Sequence, residues 1–197
     1  MQKYNYDVLG IGNAVTDIFV EVEESFLKKN SLVEGTMKLV DEDFIMELLK
    51  DLNVSKTYAG GSVANTLSTI SKLGGKCAFV GSRKNDKYGK LFSKSMEQEK
   101  IDLLNKENEE GKASSLCLVL VTPNGERTMC TYLGASTILN NENLELSSLT
   151  KSNIIYLEGY LFDLPEAKDI FYEVVDKAKE YNYQVALSLS DPFCVER

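Results

Sequence analysis

The sequence contains no histidine at any of its 197 positions. A Ser-His-Asp or Cys-His catalytic mechanism and a histidine-ligated metal are therefore excluded within this chain. Cysteine is also scarce, and Cys77, Cys117, Cys130 and Cys194 lie far apart without forming a C-x-x-C pair. Three of them stand in apolar, strand-like runs. This pattern favours reduced, buried thiols in a cytoplasmic protein over disulfides or a zinc site.

Long apolar runs and an excess of positive charge are missing as well. No apolar run approaches the ~20 residues of a membrane-spanning helix, and the N-terminal MQKYNYD lacks the apolar core of a signal peptide. The formal net charge of −8 argues against a general nucleic-acid or anionic-membrane binder. We therefore expect a cytoplasmic protein without nucleic acid or a membrane as its partner. A length of 197 residues fits one domain with a sizeable core.

Short β-rich runs alternate with helical patterns, which indicates a parallel sheet with crossover helices. We predict strands at Tyr6–Gly10, Cys77–Val80, Leu116–Val121, Thr128–Leu133, Ile154–Leu157 and Val185–Leu189. We predict helices at Asp41–Leu52, Ser62–Leu73, Lys87–Glu99 and Pro165–Tyr181. The sequence PNGE at Pro123–Glu126 joins two of the strands and is typical of a hairpin turn.

Three segments fit this main sheet poorly. Ile18–Glu23 alternates apolar and acidic residues, and Thr36–Val40 and Ile101–Leu104 are short and strand-like. Alternation suits a sheet with one solvent-exposed face, whereas buried parallel strands have continuous apolar runs. We therefore place these segments in a small second β-sheet that projects from the core, within residues of roughly 17–40 and 101–117.

The segment GIGNAVTD at Gly10–Asp17 follows an apolar run and ends on a lone carboxylate. It is similar to the start of a dinucleotide-binding G-x-G-x-x-G, but Val15 replaces the third glycine. Strand-like sequence then resumes at Ile18, where that motif needs a helix. We therefore reject a dinucleotide site. From the pattern alone, Asp17 is either a solvated loop acid or cap, or an acceptor for ligand hydroxyls.

A second segment, AGGSVAN at Ala59–Asn65, runs from a glycine pair into an amphipathic helix. Gly60 and Gly61 allow close approach of a ligand to the backbone, and Ser62 suits the helix N-cap. The start of the helix leaves amide donors unpaired. Together with the carboxylate of the first segment and the Asn65 amide, these donors suit a polyhydroxylated ligand, because each hydroxyl both donates and accepts. A plain helix-entry turn is the alternative.

Polar residues collect directly after the predicted strands of the main sheet. Asn13 and Asp17 follow the first strand, Glu158 follows the run at Ile154–Leu157, and Ser190 and Asp191 follow the last. In open α/β sheets, ligands bind in the crevice at the carboxyl ends of the strands. We therefore expect these residues to meet at one rim.

Six segments, in order and spacing, resemble the PfkB family of ribokinase-like sugar and nucleoside kinases, and its adenosine kinase branch in particular. They are GIGNAVTD, AGGSVAN, LGGKCAFVGSRKNDKYG, VTPNGERTMCTYLGAS, YLEGYLFD and LSDPFCVER. The resemblance implies a three-layer α/β/α core with a mainly parallel sheet and a small β-sheet lid. The family's Asn-x-x-Glu magnesium motif and its Gly-Ala-Gly-Asp motif, an anion hole plus catalytic base, have no counterpart up to Arg197. We therefore interpret residues 1–197 as the N-terminal, substrate-binding part of such a kinase.

The resemblance also implies roles for individual residues. It implies that Asp17 and Asn65 bind the ribose beside Gly60 and Gly61. Ser62 occupies a position that is Lys in ribokinases and Ser in adenosine kinases, which favours a nucleoside over free ribose.

Four further residues keep two interpretations each. Asn13 corresponds to a residue near the purine, or simply forms the turn after a strand. Glu158 matches a ribokinase substrate contact, or is a structural acid at a strand end. Phe193 matches an aromatic residue that stacks on adenine, or belongs to the core or rim. Arg127 reaches a phosphate or, as we favour, satisfies a surface carboxylate.

The resemblance implies an ATP-dependent kinase that phosphorylates the 5′-hydroxyl of adenosine or a related nucleoside. ATP and Mg²⁺ are the implied cofactors, with their main sites outside this chain, so that residues 1–197 alone are expected to be inactive. The implied oligomeric state is a monomer or a lid-mediated homodimer. A kinase for a free sugar such as ribose or fructose is the alternative within the family. A non-catalytic nucleoside-binding module is the alternative of another class.

Overall fold

The computed structural model describes residues 4–139 and 149–196 of the chain. Within these residues, two five-stranded β-sheets are accompanied by helices. The strands are β1 (Tyr6–Ile11), β2 (Val15–Glu21), β3 (Met37–Leu39), β4 (Lys56–Gly60), β5 (Cys77–Val80), β6 (Ile101–Leu103), β7 (Ser115–Val121), β8 (Arg127–Tyr132), β9 (Ser152–Glu158) and β10 (Gln184–Ser188). The helices are α1 (Glu24–Lys29), α2 (Glu42–Lys50), α3 (Ser62–Lys72), α4 (Lys87–Gln98), α5 (Pro165–Tyr181) and α6 (Pro192–Glu196). None of the helices in the described ranges is both long and apolar enough to cross a membrane.

The main sheet has the strand order β10-β9-β1-β5-β6, and every neighbouring pair is parallel. Apolar side chains cover both of its faces, because α5 packs on one side and α3 with α4 on the other. On the α5 side, Leu9 belongs to a cluster with Ile170. On the opposite side, Val8 belongs to a cluster with Leu67 and Phe92. The predicted three-layer α/β/α core with a parallel sheet is therefore confirmed.

The second sheet has the order β3-β8-β7-β2-β4 and mixes parallel with antiparallel pairs. One face packs on α1 and α2 through a buried apolar cluster that includes Ile18, Ile45 and Leu118. The other face carries a smaller cluster around Val15 and Val119. The alternation predicted for the segment after Asp17 therefore corresponds to a real sheet, and the PNGE hairpin between β7 and β8 is confirmed. Its role as a lid stays a prediction.

Two strand placements were wrong. Ile101–Leu104 was expected in the second sheet, but Ile101–Leu103 pairs with β5 at the edge of the main sheet, because α4 returns the chain there as a parallel crossover. Leu116–Val121 and Thr128–Leu133 were grouped with the main-sheet strands, but β7 and β8 form the centre of the second sheet. Both faces of β7 are covered, so its burial resembles that of a parallel core strand.

Two local expectations at the glycine pair also differ from the structure. The strand Lys56–Gly60 was not predicted; it pairs antiparallel with β2 and leads into the glycine turn. Ser62 was expected to cap α3, but the N-cap residue is Gly61 and Ser62 is the first helical residue. Gly61 has a φ of +93°, a conformation that favours glycine.

Three of the four cysteines lie buried on strands. Cys77 is in β5, Cys117 in β7 and Cys130 in β8, while Cys194 is partly exposed. Burial raises the pKa of Cys77 to about 11 and that of Cys117 to about 12. These two thiols are therefore protonated at neutral pH, and the predicted burial is confirmed for the three strand cysteines.

The carboxylate of Asp86 joins α4 to the second sheet. It accepts hydrogen bonds from the N–H groups of Gly89 (2.8 Å), Tyr88 (3.1 Å) and Ser114 (2.8 Å). Desolvation raises the pKa of Asp86, but these donors outweigh it, and the net pKa is lowered. Asp86 is therefore an N-cap that also fixes the approach to β7.

The edge of the main sheet at β10 exposes apolar side chains. Leu187 is 50% exposed and the following Leu189 is 67% exposed. An unpaired, apolar strand edge promotes pairing between molecules. We predict that the chain self-associates through β10 and that Leu187→Lys reduces this, measured by sedimentation velocity over a range of concentrations. Leu73→Lys, at an 84% exposed leucine far from this edge, is the matched control and should change nothing. Equal effects of both substitutions, or a wild-type chain that stays monomeric, would contradict the prediction.

Candidate functional site

Two turns of the chain meet at the carboxyl end of β1. One is residues 12–14, between β1 and β2, and the other is the glycine pair between β4 and α3. A Cβ on Gly61 would lie 2.6 Å from the backbone oxygen of Asn13. Any larger residue would force the turns apart, so glycine allows the two backbones to touch.

Glu158, the last residue of β9, lies beneath both turns and is only 1% exposed. Its Oε2 accepts hydrogen bonds from the backbone N–H (2.5 Å) and the side-chain amide (2.8 Å) of Asn13. Its Oε1 accepts from the backbone N–H of Ser62 (3.1 Å) and from the Ser62 hydroxyl. The predicted meeting of Asn13 and Glu158 at one rim is therefore observed, with Ser62 added to it.

Asp17 lies on β2, with its carboxyl group directly over Gly60. A Cβ on Gly60 would lie 2.1 Å from the Asp17 carboxyl group, so a larger residue there would displace the carboxyl group from this position. In residues 4–139 and 149–196, no group donates a hydrogen bond or forms an ion pair with this carboxylate. Desolvation by burial raises the pKa of Asp17 to about 6. The site thus holds a half-buried carboxylate that lacks the donors it needs.

Asn65 is exposed and lies one helical turn beyond the glycine pair. Its backbone N–H donates to the oxygen of Gly61 (3.0 Å), as expected of the first turn of α3. Its side-chain amide makes no hydrogen bond within the described ranges of the chain. Within the described residues, the Asp17 carboxyl group and the Asn65 side-chain amide therefore both lack a hydrogen-bond partner.

The sequence patterns did not predict which side chains lie beside Asp17. Tyr58 on β4 pairs directly with Asp17 and is 51% exposed, and the ring of Phe19 meets its ring edge-on at 6.1 Å. Cys117 on β7 pairs with Asp17 from the other side. The alternation along β2 could have indicated that Phe19 lies on the same face as Asp17. Tyr58 could not be found in this way, because it lies on β4, which was not predicted.

The remaining candidates lie elsewhere or outside the described part. Arg127 is exposed and pairs with Val121, four positions along β7 from the partner of Asp17, which is ~13 Å away along the sheet. The structure therefore does not bring Arg127 to the site. The backbone of Phe193 lies in α6, and its side chain is outside the described part of the chain. Ser190 accepts a hydrogen bond from the N–H of Tyr160 (3.0 Å), which follows Glu158 by two residues.

The described residues hold no ready-made cluster of metal ligands. Within 4–139 and 149–196, no three His, Cys, Asp or Glu residues lie close enough together to hold a metal ion. A magnesium ion that one or two carboxylates hold together with substrate phosphates does not need such a cluster.

The comparisons with known proteins point to one family. The model of the pfkB family carbohydrate kinases matches residues 38–195. The adenosine kinase structure from Sinorhizobium meliloti is 35% identical with a TM-score of 0.86, and the structure of a probable sugar kinase from Rhizobium etli is 31% identical with a TM-score of 0.87. Each alignment covers 98% of this chain and 59% of the other. Adenosine kinase 2 of Arabidopsis thaliana is 26% identical over 98% of this chain, which spans 58% of that relative's length.

The raised pKa of Asp17 predicts a pH-dependent effect of Asp17→Asn on stability. Because the folded state favours the protonated acid, Asp17 contributes stability that is fully present below pH ~4 and lost as the pH rises through about 6. At pH 8 the variant should therefore be more stable than the wild type, by about 1–3 kcal/mol, and nearly equal at pH 4. Urea unfolding at both pH values measures this difference.

Asp86→Asn is the matched control, with the opposite sign. The pKa of Asp86 is lowered, so its contribution is present at pH 8 and lost as the pH falls below the ordinary value. This variant should be less stable than the wild type at pH 8. If Asp17→Asn also destabilised the protein at pH 8, the account of an unpaired carboxylate would be wrong.

Proposed function

This chain belongs to the pfkB family of carbohydrate kinases, and we propose that it provides the substrate site of an ATP-dependent kinase acting on the 5′-hydroxyl of adenosine or a related nucleoside. The observation that carries the proposal is the Asp17 carboxylate. It is half-buried, unpaired within the described residues, and placed over Gly60. A ribose offers two adjacent hydroxyls to such a group, and each charge-assisted hydrogen bond contributes roughly 1.5–3 kcal/mol.

The surroundings of Asp17 support a nucleoside over a bare sugar. The Tyr58 and Phe19 rings lie on the same face of the second sheet as the carboxylate, and aromatic side chains bind bases by stacking. Asn13 donates one side-chain N–H to Glu158, which leaves its second N–H and its Oδ1 for a purine, near which the resemblance places this residue. The similarity to adenosine kinases from two organisms agrees with this proposal.

In the proposed reaction, residues 1–197 bind and orient the nucleoside. Phosphoryl transfer depends on positioning and on stabilisation of the charge that develops on the transferred group. ATP supplies the phosphoryl group. We place the base that accepts the hydroxyl proton, the anion hole and the magnesium ligands outside these residues, as the resemblance implies. We therefore expect residues 1–197 by themselves to bind adenosine but to form no AMP with ATP.

A free sugar is the second candidate substrate, and one observation favours it. The Rhizobium etli structure, a probable sugar kinase, is 31% identical to this chain with the same coverage as the adenosine kinase structure. A carboxylate and an amide that bind two hydroxyls do not distinguish a ribose in a nucleoside from a ribose or fructose alone. A nucleoside differs from a free sugar by the additional binding free energy that contacts with its base contribute.

We predict that adenosine binds to the chain more tightly than ribose or fructose, by about tenfold or more, because stacking on an aromatic side chain contributes roughly 1–3 kcal/mol per base. Calorimetry at pH 8 with adenosine, inosine, guanosine, ribose and fructose measures the order. If ribose or fructose bound as tightly as adenosine, or more tightly, the proposed substrate would be a free sugar and not a nucleoside.

Asp17→Asn should weaken adenosine binding at least about 100-fold at pH 8, because an amide is uncharged and offers one acceptor oxygen in place of two. Asp43→Asn, at an exposed residue in the first turn of α2, is the matched control and should leave the affinity unchanged. The same calorimetric titration measures both. If the Asp17→Asn variant bound adenosine with full affinity, the carboxylate would not be part of the site and the proposal would lose its basis.

A further inference from the structure

We infer that Glu158 is a positioning residue, which holds the Asn13 turn against the start of α3 and does not itself contact the ligand. The inference rests on the proposed function for the identity of the ligand, but its geometry is that of the chain alone. It decides between the two interpretations of Glu158 that the sequence leaves open.

The Glu158 carboxylate has no acceptor capacity left for a ligand. An ionised carboxylate has about four acceptor positions on its two oxygens. Both oxygens of Glu158 carry two donors each, from Asn13 on Oε2 and from Ser62 on Oε1. With 1% of the residue exposed, no acceptor position remains for a ligand hydroxyl. A direct substrate contact would require breaking one of these hydrogen bonds.

The α3 helix has no capping side chain at its own N-cap position. The first N–H groups of a helix have no acceptor within the helix, and a capping side chain usually supplies one. Gly61 occupies the N-cap position and has no side chain, and its φ and its contact with Asn13 exclude a larger residue there. Glu158 accepts the N–H of Ser62 instead, so that β9 supplies the cap. A negative charge is also favourable at this end of a helix.

The contact at Glu158 lies next to the candidate ligand groups. The Asn13 turn leads directly into β2, where Asp17 lies, and the Ser62 end of α3 follows Gly60. The β2–β4 pairing places Asp17 over Gly60, and the hydrogen bonds at Glu158 hold together the two turns that continue from these strands. A displacement of ~1 Å at a binding group is enough to weaken ligand binding substantially. Loosening these hydrogen bonds should therefore weaken the binding of the ribose.

Glu158→Gln tests the local part of the inference without a ligand. Its amide nitrogen cannot accept, so two of the four donors lose their partner. By NMR-detected hydrogen exchange, the amides of Asn13 and Ser62 should exchange about tenfold faster or more, whereas the amide of Phe79 in the core strand β5 should change only with global stability. Glu34→Gln is the matched control, because Glu34 accepts from Thr122 and Asn124 at the far end of the second sheet. It should leave both exchange rates unchanged.

The binding part is tested with adenosine. Glu158→Gln should weaken adenosine about 10- to 100-fold, and Glu34→Gln should not. Ser62→Ala removes a single donor, serves as the milder variant if Glu158→Gln does not fold, and should also weaken binding. The double variant with Glu158→Gln and Ser62→Ala should lose no more adenosine affinity than Glu158→Gln alone, because both substitutions act on one contact.

Each outcome decides a separate point. Unchanged exchange at Asn13 and Ser62 in Glu158→Gln would overturn the inference. So would unchanged or tighter adenosine binding in Ser62→Ala, or additive losses in the double variant, since a carboxylate that contacts the ligand gains a free position when the serine donor is removed. If the wild-type chain binds neither adenosine nor ribose, the proposed function fails, and hydrogen exchange still decides whether Glu158 holds the two turns.

Discussion

The contact between the Asn13 turn and the first residues of α3 is the constraint on which the rest of the site depends. It joins the carboxyl end of β1, the end of β4 and the end of β9, which lie far apart in sequence. Gly61 permits it, because a Cβ there would lie 2.6 Å from the Asn13 oxygen. The Glu158 carboxylate completes it with donors from both sides. Asp17 and Asn65 lie on the two elements, β2 and α3, that lead away from this junction.

The carboxylates of Glu158 and Asp17 have opposite electrostatic environments. Glu158 is buried and accepts from four donors, so its desolvation is offset within the protein. Asp17 is desolvated without donors, and its pKa is raised to about 6. A folded protein retains an unsatisfied group of this kind at a cost to its stability, and such groups concentrate at functional sites. A hydroxylated ligand would supply the donors that the protein withholds.

The sequence predicted the regular elements well because their signals are local. The buried run at Cys77–Val80 and the periodicity of Pro165–Tyr181 agree with β5 and α5 at both ends. The errors lie where tertiary structure decides. The assignment of β7 to a sheet depends on what covers its faces, and the cap of α3 comes from β9, 96 residues away from Ser62. The position of Asp17 over Gly60 could not be predicted from a local pattern, since no spacing rule places a strand β4 beside β2.

In the proposed function, recognition of the ligand and transfer of the phosphoryl group are separable. Asp17, Gly60 and Glu158 lie on β2, β4 and β9, and these strands are held together with β1 by apolar clusters inside the described residues. The candidate site therefore rests on strands that are packed within the described part of the chain. An affinity measured on residues 1–197 reports the binding contacts by themselves, without the transition-state interactions of the transfer step. For this reason, losses of affinity in variants of this chain can be attributed to the positioning of ligand groups.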